Sequence, residues 1–184
     1  MLVIAPVAIL TISAVIVAII ALSGSSMRSQ AITQLQNDVL AALDRMEQDV
    51  RLSDSLTVSG SDLEMVNLAT DKNPFNEDRK LIRASDCSVM PDGIVVANAL
   101  NYDISYKASG SGVVREVVLP SGCASTSSNV WQENSSEKLI DGADSTMVVH
   151  AFGTDAVSIE LTAKKTVAGQ EVSFTGTMYA KSIN

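Results

Sequence analysis

Charged side chains are absent from the first 22 residues, where Thr11 and Ser13 carry the only polar side chains. Histidine occurs once, at His150, which excludes a histidine-based metal cluster and leaves one candidate base for a catalytic triad. That histidine lies in an apolar, strand-like stretch, where we expect a structural role. A glycine-rich phosphate loop is also missing, since Ser109-Gly110-Ser111-Gly112 lies between two predicted strands and precedes no helix. We therefore predict that the chain is not an enzyme and binds no metal or cofactor.

Basic residues are too few for a nucleic-acid partner. The chain has 13 Lys and Arg against 21 Asp and Glu, a formal net charge of -8, whereas nucleic-acid binding needs a basic surface. The charged segment Asp71–Lys80 lacks the glycine at the sixth position and the oxygen spacing of a calcium loop, so we predict a solvated loop there.

The uncharged segment Met1–Leu22 is the most distinctive part of the chain. As a helix it spans about 33 Å, which matches the hydrocarbon core of a bilayer. No basic residue precedes it, and it is longer than the apolar part of an ordinary secretory signal, so we expect the mature protein to retain it. Gly and Ser weaken helices, so Ser23-Gly24-Ser25-Ser26 predicts a kink, an unwound turn or a helix end. We assign residues 1–25 to an apolar transmembrane or filament-core helix.

Helical periodicity resumes in residues 26–52. Apolar residues recur there at steps of three and four, which places them on one face of an amphipathic helix. That face needs a cover, and the simplest cover is the domain that follows it. The residues predicted to pack on a sheet are Ile32, Leu35, Val39, Leu43, Met46 and Val50.

From residue 53 onward, short apolar or alternating segments between Gly, Pro and Ser turns predict β-strands. A Gly/Ser turn separates Tyr102–Lys107 from Val113–Leu119, and these two segments form a predicted hairpin. Cys123–Glu137 is rich in Ser, Thr and Asn and predicts a long surface excursion, under which we expect Trp131 to pack rather than to stand exposed. The predicted strands are Leu56–Ser59, Leu63–Leu68, Ile94–Ala97, Tyr102–Lys107, Val113–Leu119, Thr146–Phe152, Val157–Ala163 and Val172–Ala180.

The order of these elements predicts an α+β fold. A long N-terminal helix would pack on a C-terminal antiparallel β-sheet domain, which comprises residues 53–184 and which we expect to be exported. Two cysteines, Cys87 and Cys123, lie in that domain without the spacing of a redox or zinc pair. In an exported domain they predict one disulfide, with two buried free thiols as the alternative.

Several local sequences accompany this layout. They are Leu43-Asp44-Arg45-Met46-Glu47-Gln48-Asp49-Val50 followed by Leu56-Thr57-Val58, Tyr102-Asp103-Ile104-Ser105-Tyr106 followed by Val114-Arg115-Glu116, Trp131 with Lys138-Leu139-Ile140-Asp141, and Val172–Ala180 with Lys181-Ser182-Ile183-Asn184. With the apolar half-helix, the amphipathic half-helix and the sheet in that order, the chain resembles a type IV pilin or pseudopilin, and especially a minor pilin. The family usually has a glutamate at the fifth mature position, where this chain has Ala5.

The resemblance implies a structural subunit of a type IV pilus or pseudopilus-like filament, with a processed and methylated N-terminus, serving adhesion, motility, DNA uptake or secretion. Its partners would be copies of itself and other pilins, with the inner membrane before assembly and the cell surface afterwards. The alternative is a bitopic, membrane-anchored binding or tip subunit with an exported β domain. The predicted filament-core or membrane residues are Leu2, Val3, Ile4, Val7, Ile9, Leu10, Ile12, Val15, Ile16, Val17, Ile19, Ile20 and Leu22.

Overall fold

The computed structural model describes residues 4–91, 96–123 and 129–183, with side chains from Ile19 onward. One long helix, α1 (Ile4–Arg51), precedes all of the β-strands. The strands are β1 (Ser53–Ser59), β2 (Asp62–Leu68), β3 (Asn101–Ser109), β4 (Gly112–Val118), β5 (Ser135–Asp141), β6 (Asp144–Phe152), β7 (Ala156–Val167) and β8 (Gln170–Lys181). The predicted α+β class, with a long N-terminal helix packed on antiparallel sheet, is confirmed.

The strands form two antiparallel sheets, whereas the sequence had suggested one. The first sheet has the order β1-β2-β3-β4-β5 and the second has the order β6-β7-β8, so within each sheet every strand pairs with its neighbours in the chain. The predicted hairpin is present, with Ser109 opposite Gly112 at its turn. Tyr102, Ile104 and Tyr106 all face the interior, as their alternation indicated.

Two predictions about the connecting segments are wrong. Val96 and Ala97 lie in a short 3-10 helix, Val96–Asn98, rather than in a strand, while Ile94 lies outside the described residues. Because β2 pairs directly with β3, the segment between them is not part of either sheet and makes only isolated bridges. In addition, β5 begins inside the predicted surface excursion and pairs with β4 through Ser136 opposite Glu116.

Helix α1 continues through Ser23-Gly24-Ser25-Ser26 without a break, although the sequence predicts a weak point there. Nε of Arg28 donates a hydrogen bond to the carbonyl of Gly24 at 3.0 Å, and its guanidinium also donates to the side chain of Gln170. A Cβ added at Gly24 would lie 3.8 Å from the Cβ of Ala168. The turn between β7 and β8 thus supports the helix at this point, and tertiary contact overrides the weak local propensity.

The C-terminal half of α1 packs against both sheets. Five of the six predicted packing residues, Leu35, Val39, Leu43, Met46 and Val50, lie in the core. Ile32 is the exception, because 41% of its surface is exposed and the neighbouring Ala31 packs against the core instead. Successive residues point about 100° apart around a helix, so only one of these two neighbours can face the sheets.

Gly176 on β8 sets how closely the helix approaches the second sheet. A Cβ added at this glycine would lie 2.7 Å from Cδ1 of Leu43 and 3.0 Å from Cγ1 of Val39. Both side chains are buried, so neither can swing into solvent to make room. The absence of a side chain at Gly176 therefore permits the observed packing distance.

We expect Gly176→Ala to lower the free energy of unfolding by about 1–3 kcal/mol, because the added methyl overpacks the interface between helix and sheet. Thermal unfolding of the full chain in detergent micelles, followed by circular dichroism, measures the effect. Gly122→Ala is the matched control, because a Cβ there meets nothing within 4 Å. Equal melting temperatures for the two variants would contradict the close approach.

Candidate functional site

A buried polar cluster joins the C-terminal end of α1 to the β3–β4 hairpin. Oδ2 of Asp49 accepts hydrogen bonds from the hydroxyl of Tyr106 at 2.5 Å and from Nε of Arg115 at 2.7 Å. Tyr106 and Arg115 lie opposite each other in the strand register, so their side chains share one face of the sheet. All three residues are buried, with 6%, 0% and 7% of their surfaces exposed in the order Asp49, Tyr106, Arg115.

The surroundings of this cluster keep its hydrogen-bond donors protonated. Burial raises the pKa of Tyr106, and the negative charge of Asp49 raises it further. Burial alone would lower the pKa of Arg115, but the hydrogen bond and charge of Asp49 outweigh it and raise that pKa. Burial, followed by the charge of Asp49, raises the pKa of the nearby Tyr102 to about 12. At neutral pH both phenols and the guanidinium therefore carry their protons.

A cavity of about 360 Å³ opens beside this cluster. Its walls come from the last turns of α1, the loop after β2, strands β3 and β4, and the segment that leads into β5. Two aromatic side chains in its wall, Phe75 and Trp131, are 53% and 48% exposed. The expectation that Trp131 packs under a loop is therefore wrong. The lining residues are Arg45, Gln48, Asp49, Leu52, Asn73, Pro74, Phe75, Tyr102, Arg115, Val117, Trp131, Gln132, Glu133 and Ser135.

Backbone hydrogen bonds hold both aromatic residues in place. The amide of Trp131 donates to the carbonyl of Thr70 at 2.8 Å. The side chain of Gln132 makes two hydrogen bonds to the same threonine, each at 3.0 Å. Its Oε1 accepts from the amide of Thr70, and its Nε2 donates to the hydroxyl. The amide of Phe75 donates to Oδ1 of Asn73 at 3.0 Å. The two exposed rings are thus presented by ordered backbone, although each lies in an irregular segment.

The guanidinium of Arg115 reaches from the cluster into the cavity wall. Its Nε donates hydrogen bonds to Asp49 and to the hydroxyl oxygen of Tyr106. Within the described part of the chain, its terminal Nη atoms make no hydrogen bond, and Arg45 forms no ion pair there either. Both groups can therefore donate to a bound molecule. Among the same residues, no group of three or more His, Cys, Asp or Glu side chains is placed to hold a metal ion.

The predicted disulfide is present and ties the long β2–β3 connection to the segment after β4. Cys87 and Cys123 are bonded, with their Cα atoms 5.8 Å apart, and both are buried. His150 lies on β6 and is exposed, and it is not among the residues that line the cavity.

The predicted filament-core residues fall mostly where side chains are not described. Leu2 and Val3 lie outside the described residues, and those from Ile4 to Val17 have a described helical backbone only. The last three, Ile19, Ile20 and Leu22, are 57%, 66% and 71% exposed. Across the residues whose placement can be described, no helix meets the length and hydropathy required of a membrane span.

Sequence patterns alone did not identify the buried cluster or the cavity, although each left a signal. Asp49 lies three residues after Met46 and next to Val50, inside the apolar stripe, where an acid needs a buried partner. Arg115 occupies an inward position between Val113 and Val117. No family model, no curated protein and no solved structure matches this chain.

We expect Asp49→Ala to lower the free energy of unfolding by about 3–5 kcal/mol, because it leaves Arg115 buried without a counter-charge. The double variant Asp49→Leu/Arg115→Met should recover much of this loss, since it removes both charges together. Urea unfolding of the full chain in micelles gives the values. Asp44→Ala, on the exposed side of the same helix, is the control. A cost for Asp49→Ala no larger than that of the control would contradict a role for the Asp49–Tyr106–Arg115 cluster as a clamp that holds α1 on the sheet.

We also expect the protein to lose stability above pH 10. The pKa of Tyr102 is about 12 in the folded chain and about 10 in an unfolded one. The phenol therefore contributes its full stability below pH 10 and loses that contribution as the pH rises toward 12. Urea midpoints at pH 8, 10 and 11 should fall less steeply for Tyr102→Phe than for the parent. The exposed Tyr179→Phe should retain the parent slope, and an unchanged slope in both variants would refute the assignment.

Proposed function

We propose that this chain is a structural subunit of an extracellular filament of the type IV pilus or pseudopilus kind, assembled through its apolar N-terminal helix. The observation that carries the proposal is an uncharged helical segment that continues beyond the folded β domain. The proposal includes the processed N-terminus, membrane residence before assembly, and copies of the same chain as the principal partners.

The geometry supports this proposal through the length of α1. A helix of 48 residues is about 72 Å long at 1.5 Å per residue. The turn between β7 and β8 reaches the helix at Gly24 and Arg28, and Ile20 and Leu22 just before that point are exposed. About 30 Å of helix therefore lies on the N-terminal side of the last contact with the domain.

The energetics of that segment demand a partner. Each large aliphatic side chain left in water forgoes about 1.5–3 kcal/mol relative to burial, and Met1–Leu22 contains many of them. Lipid would cover the segment in a membrane. Neighbouring helices would cover it in a filament, where the small residues Ala14, Ala18 and Ala21 allow close approach. One segment would thus serve first as an anchor and then as the filament core.

The clamp on α1 supports assembly in a defined orientation. Asp49 ties the helix to the first sheet, and Gly176 brings it against the second. The C-terminus adds a third tie, because the amide of Ile183 donates to the carbonyl of Arg51 at 3.1 Å. A subunit whose domain is fixed on its helix presents the same surface at every position of a helical stack, which is what an open, head-to-tail assembly requires.

One observation favours a second candidate, a membrane-anchored binding or tip subunit present in single copies. The cavity beside Phe75 and Trp131 is a concave surface with exposed aromatic rings and polar groups, the usual composition of a binding site. Such a subunit would use the same apolar helix only as an anchor.

Electron microscopy of sheared surface material from cells that express the tagged full chain tests the first function. We expect labelled filaments from the parent chain and from Thr33→Asp, a change on the exposed part of the helix beside the domain. Ile20→Asp should abolish them, because a charge would enter the apolar core. Recovery of the parent chain only as dispersed copies in detergent-extracted membranes would favour the second candidate, and a soluble monomer without detergent would refute both.

A further inference from the structure

We infer that the cavity beside the Asp49–Tyr106–Arg115 cluster is a binding site for a neutral saccharide unit. The inference is independent of filament assembly, since it depends only on side chains of the folded domain.

The exposed aromatic rings are the first ground. Phe75 and Trp131 each hold about half of their surface in water beside the cavity, although apolar rings gain free energy by burial. Hydrogen bonds to Thr70 and Asn73 fix the backbone that carries them, so both residues are placed at the cavity before any ligand arrives. A flat aromatic ring suits the C–H face of a sugar, which is itself apolar.

The unused hydrogen-bonding groups are the second ground. Nε2 of Gln48 donates to Asp44, and Oδ1 of Asn73 accepts from the amide of Phe75. In the described chain, no hydrogen bond uses Oε1 of Gln48, Nδ2 of Asn73 or the Nη atoms of Arg115. The lining thus offers acceptors and donors side by side, and a sugar hydroxyl is both a donor and an acceptor.

The preorganisation of Arg115 strengthens this point. Its side chain is 8% exposed, and its Nε is fixed at 2.7 Å from Asp49. Because the guanidinium is planar, fixing Nε also fixes the direction of the two Nη groups. A ligand that accepts from them loses little side-chain entropy on binding.

The charge balance of the lining indicates a neutral ligand. The charge of Asp49 neutralises that of Arg115 within the wall. The other two charged residues of the lining, Arg45 and Glu133, carry opposite charges. These four charges sum to zero, so the lining as a whole favours neither an anion nor a cation, and a neutral polyol needs no such attraction. The volume of about 360 Å³ lies in the range of small-molecule sites.

Intrinsic fluorescence offers a direct test, because Trp131 is the only tryptophan in the chain. The full chain in micelles would be titrated separately with glucose, galactose, mannose and N-acetylglucosamine, and binding would be checked by saturation-transfer NMR. We expect a saturable change in Trp131 emission with at least one of these neutral sugars. Glucuronate, which adds a carboxylate to the same ring, should bind no better than glucose.

Variants separate the site from the fold. Phe75→Ala should weaken the affinity about tenfold, since it removes one aromatic contact, and Asn73→Ala should weaken it as well. Phe152→Ala is the matched control, because Phe152 is 54% exposed but lies on β6, outside the cavity lining. Circular dichroism confirms that each variant folds.

Three outcomes would overturn the inference. They are the absence of a saturable response to every neutral sugar, a response stronger with glucuronate than with glucose, and a change in Trp131 emission that depends only on the concentration of the protein itself. The last result would assign the cavity to contact between subunits instead.

Discussion

The carboxylate of Asp49 is the contact on which the arrangement of this molecule depends. One oxygen of that side chain accepts from both Tyr106 and Arg115, which reach it from neighbouring strands. A different part of the helix surface meets β8, where Gly176 allows the side chains of Val39 and Leu43 to approach the backbone. The polar contacts of Asp49 and the close apolar contact at Gly176 together fix the rotation of α1. Replacing a buried ion pair by apolar residues is often neutral or stabilising, so we attribute to this pair the position of the helix rather than net stability.

The clamp matters because α1 is long. A rotation of one residue step turns a helix face by about 100°, and a small tilt at Asp49 moves the far end of a 72 Å rod by many ångströms. If the apolar half-helix packs against copies of itself, its face and direction must be the same in each copy. The cluster, the contact at Gly176 and the hydrogen bond between Ile183 and Arg51 together set that direction at the base of the helix. The hydrogen bond between Arg28 and Gln170 also holds the direction of α1, at a point nearer to the N-terminal end of the helix.

The periodic parts of the sequence predicted the fold well, and the non-periodic parts did not. The three- and four-residue steps identified the buried face of α1. This prediction failed only at Ile32, where the smaller Ala31 takes the inward position. Alternation located β3, β4, β7 and β8, but alternation states which side of a strand is buried and not which strand lies beside it. Alternation therefore could not predict the division into two sheets. Strand β5 was not predicted, because most of its residues are exposed and Ser135–Asp141 therefore has little apolar pattern. The cavity could not be predicted from the sequence for a related reason. Asn73, Phe75 and Trp131 come from irregular segments that long-range hydrogen bonds bring together.

Those irregular segments are held together by contacts between residues far apart in the chain. The connection between β2 and β3 and the segment before β5 contribute the aromatic wall of the cavity, and the disulfide from Cys87 to Cys123 links the two regions. Closing a loop with a sequence separation of 36 removes about 3–4 kcal/mol of unfolded-state entropy in the chain-entropy model. Thr70 then fixes both sides, because it hydrogen-bonds to Trp131 and Gln132. The last turns of α1 and strands β3 and β4 form the rest of the cavity wall, so the cavity lies where these loops meet the elements that hold the helix. Asp49 and Arg115 bond to each other and both also line the cavity. The ion pair that positions α1 therefore also positions part of the cavity wall.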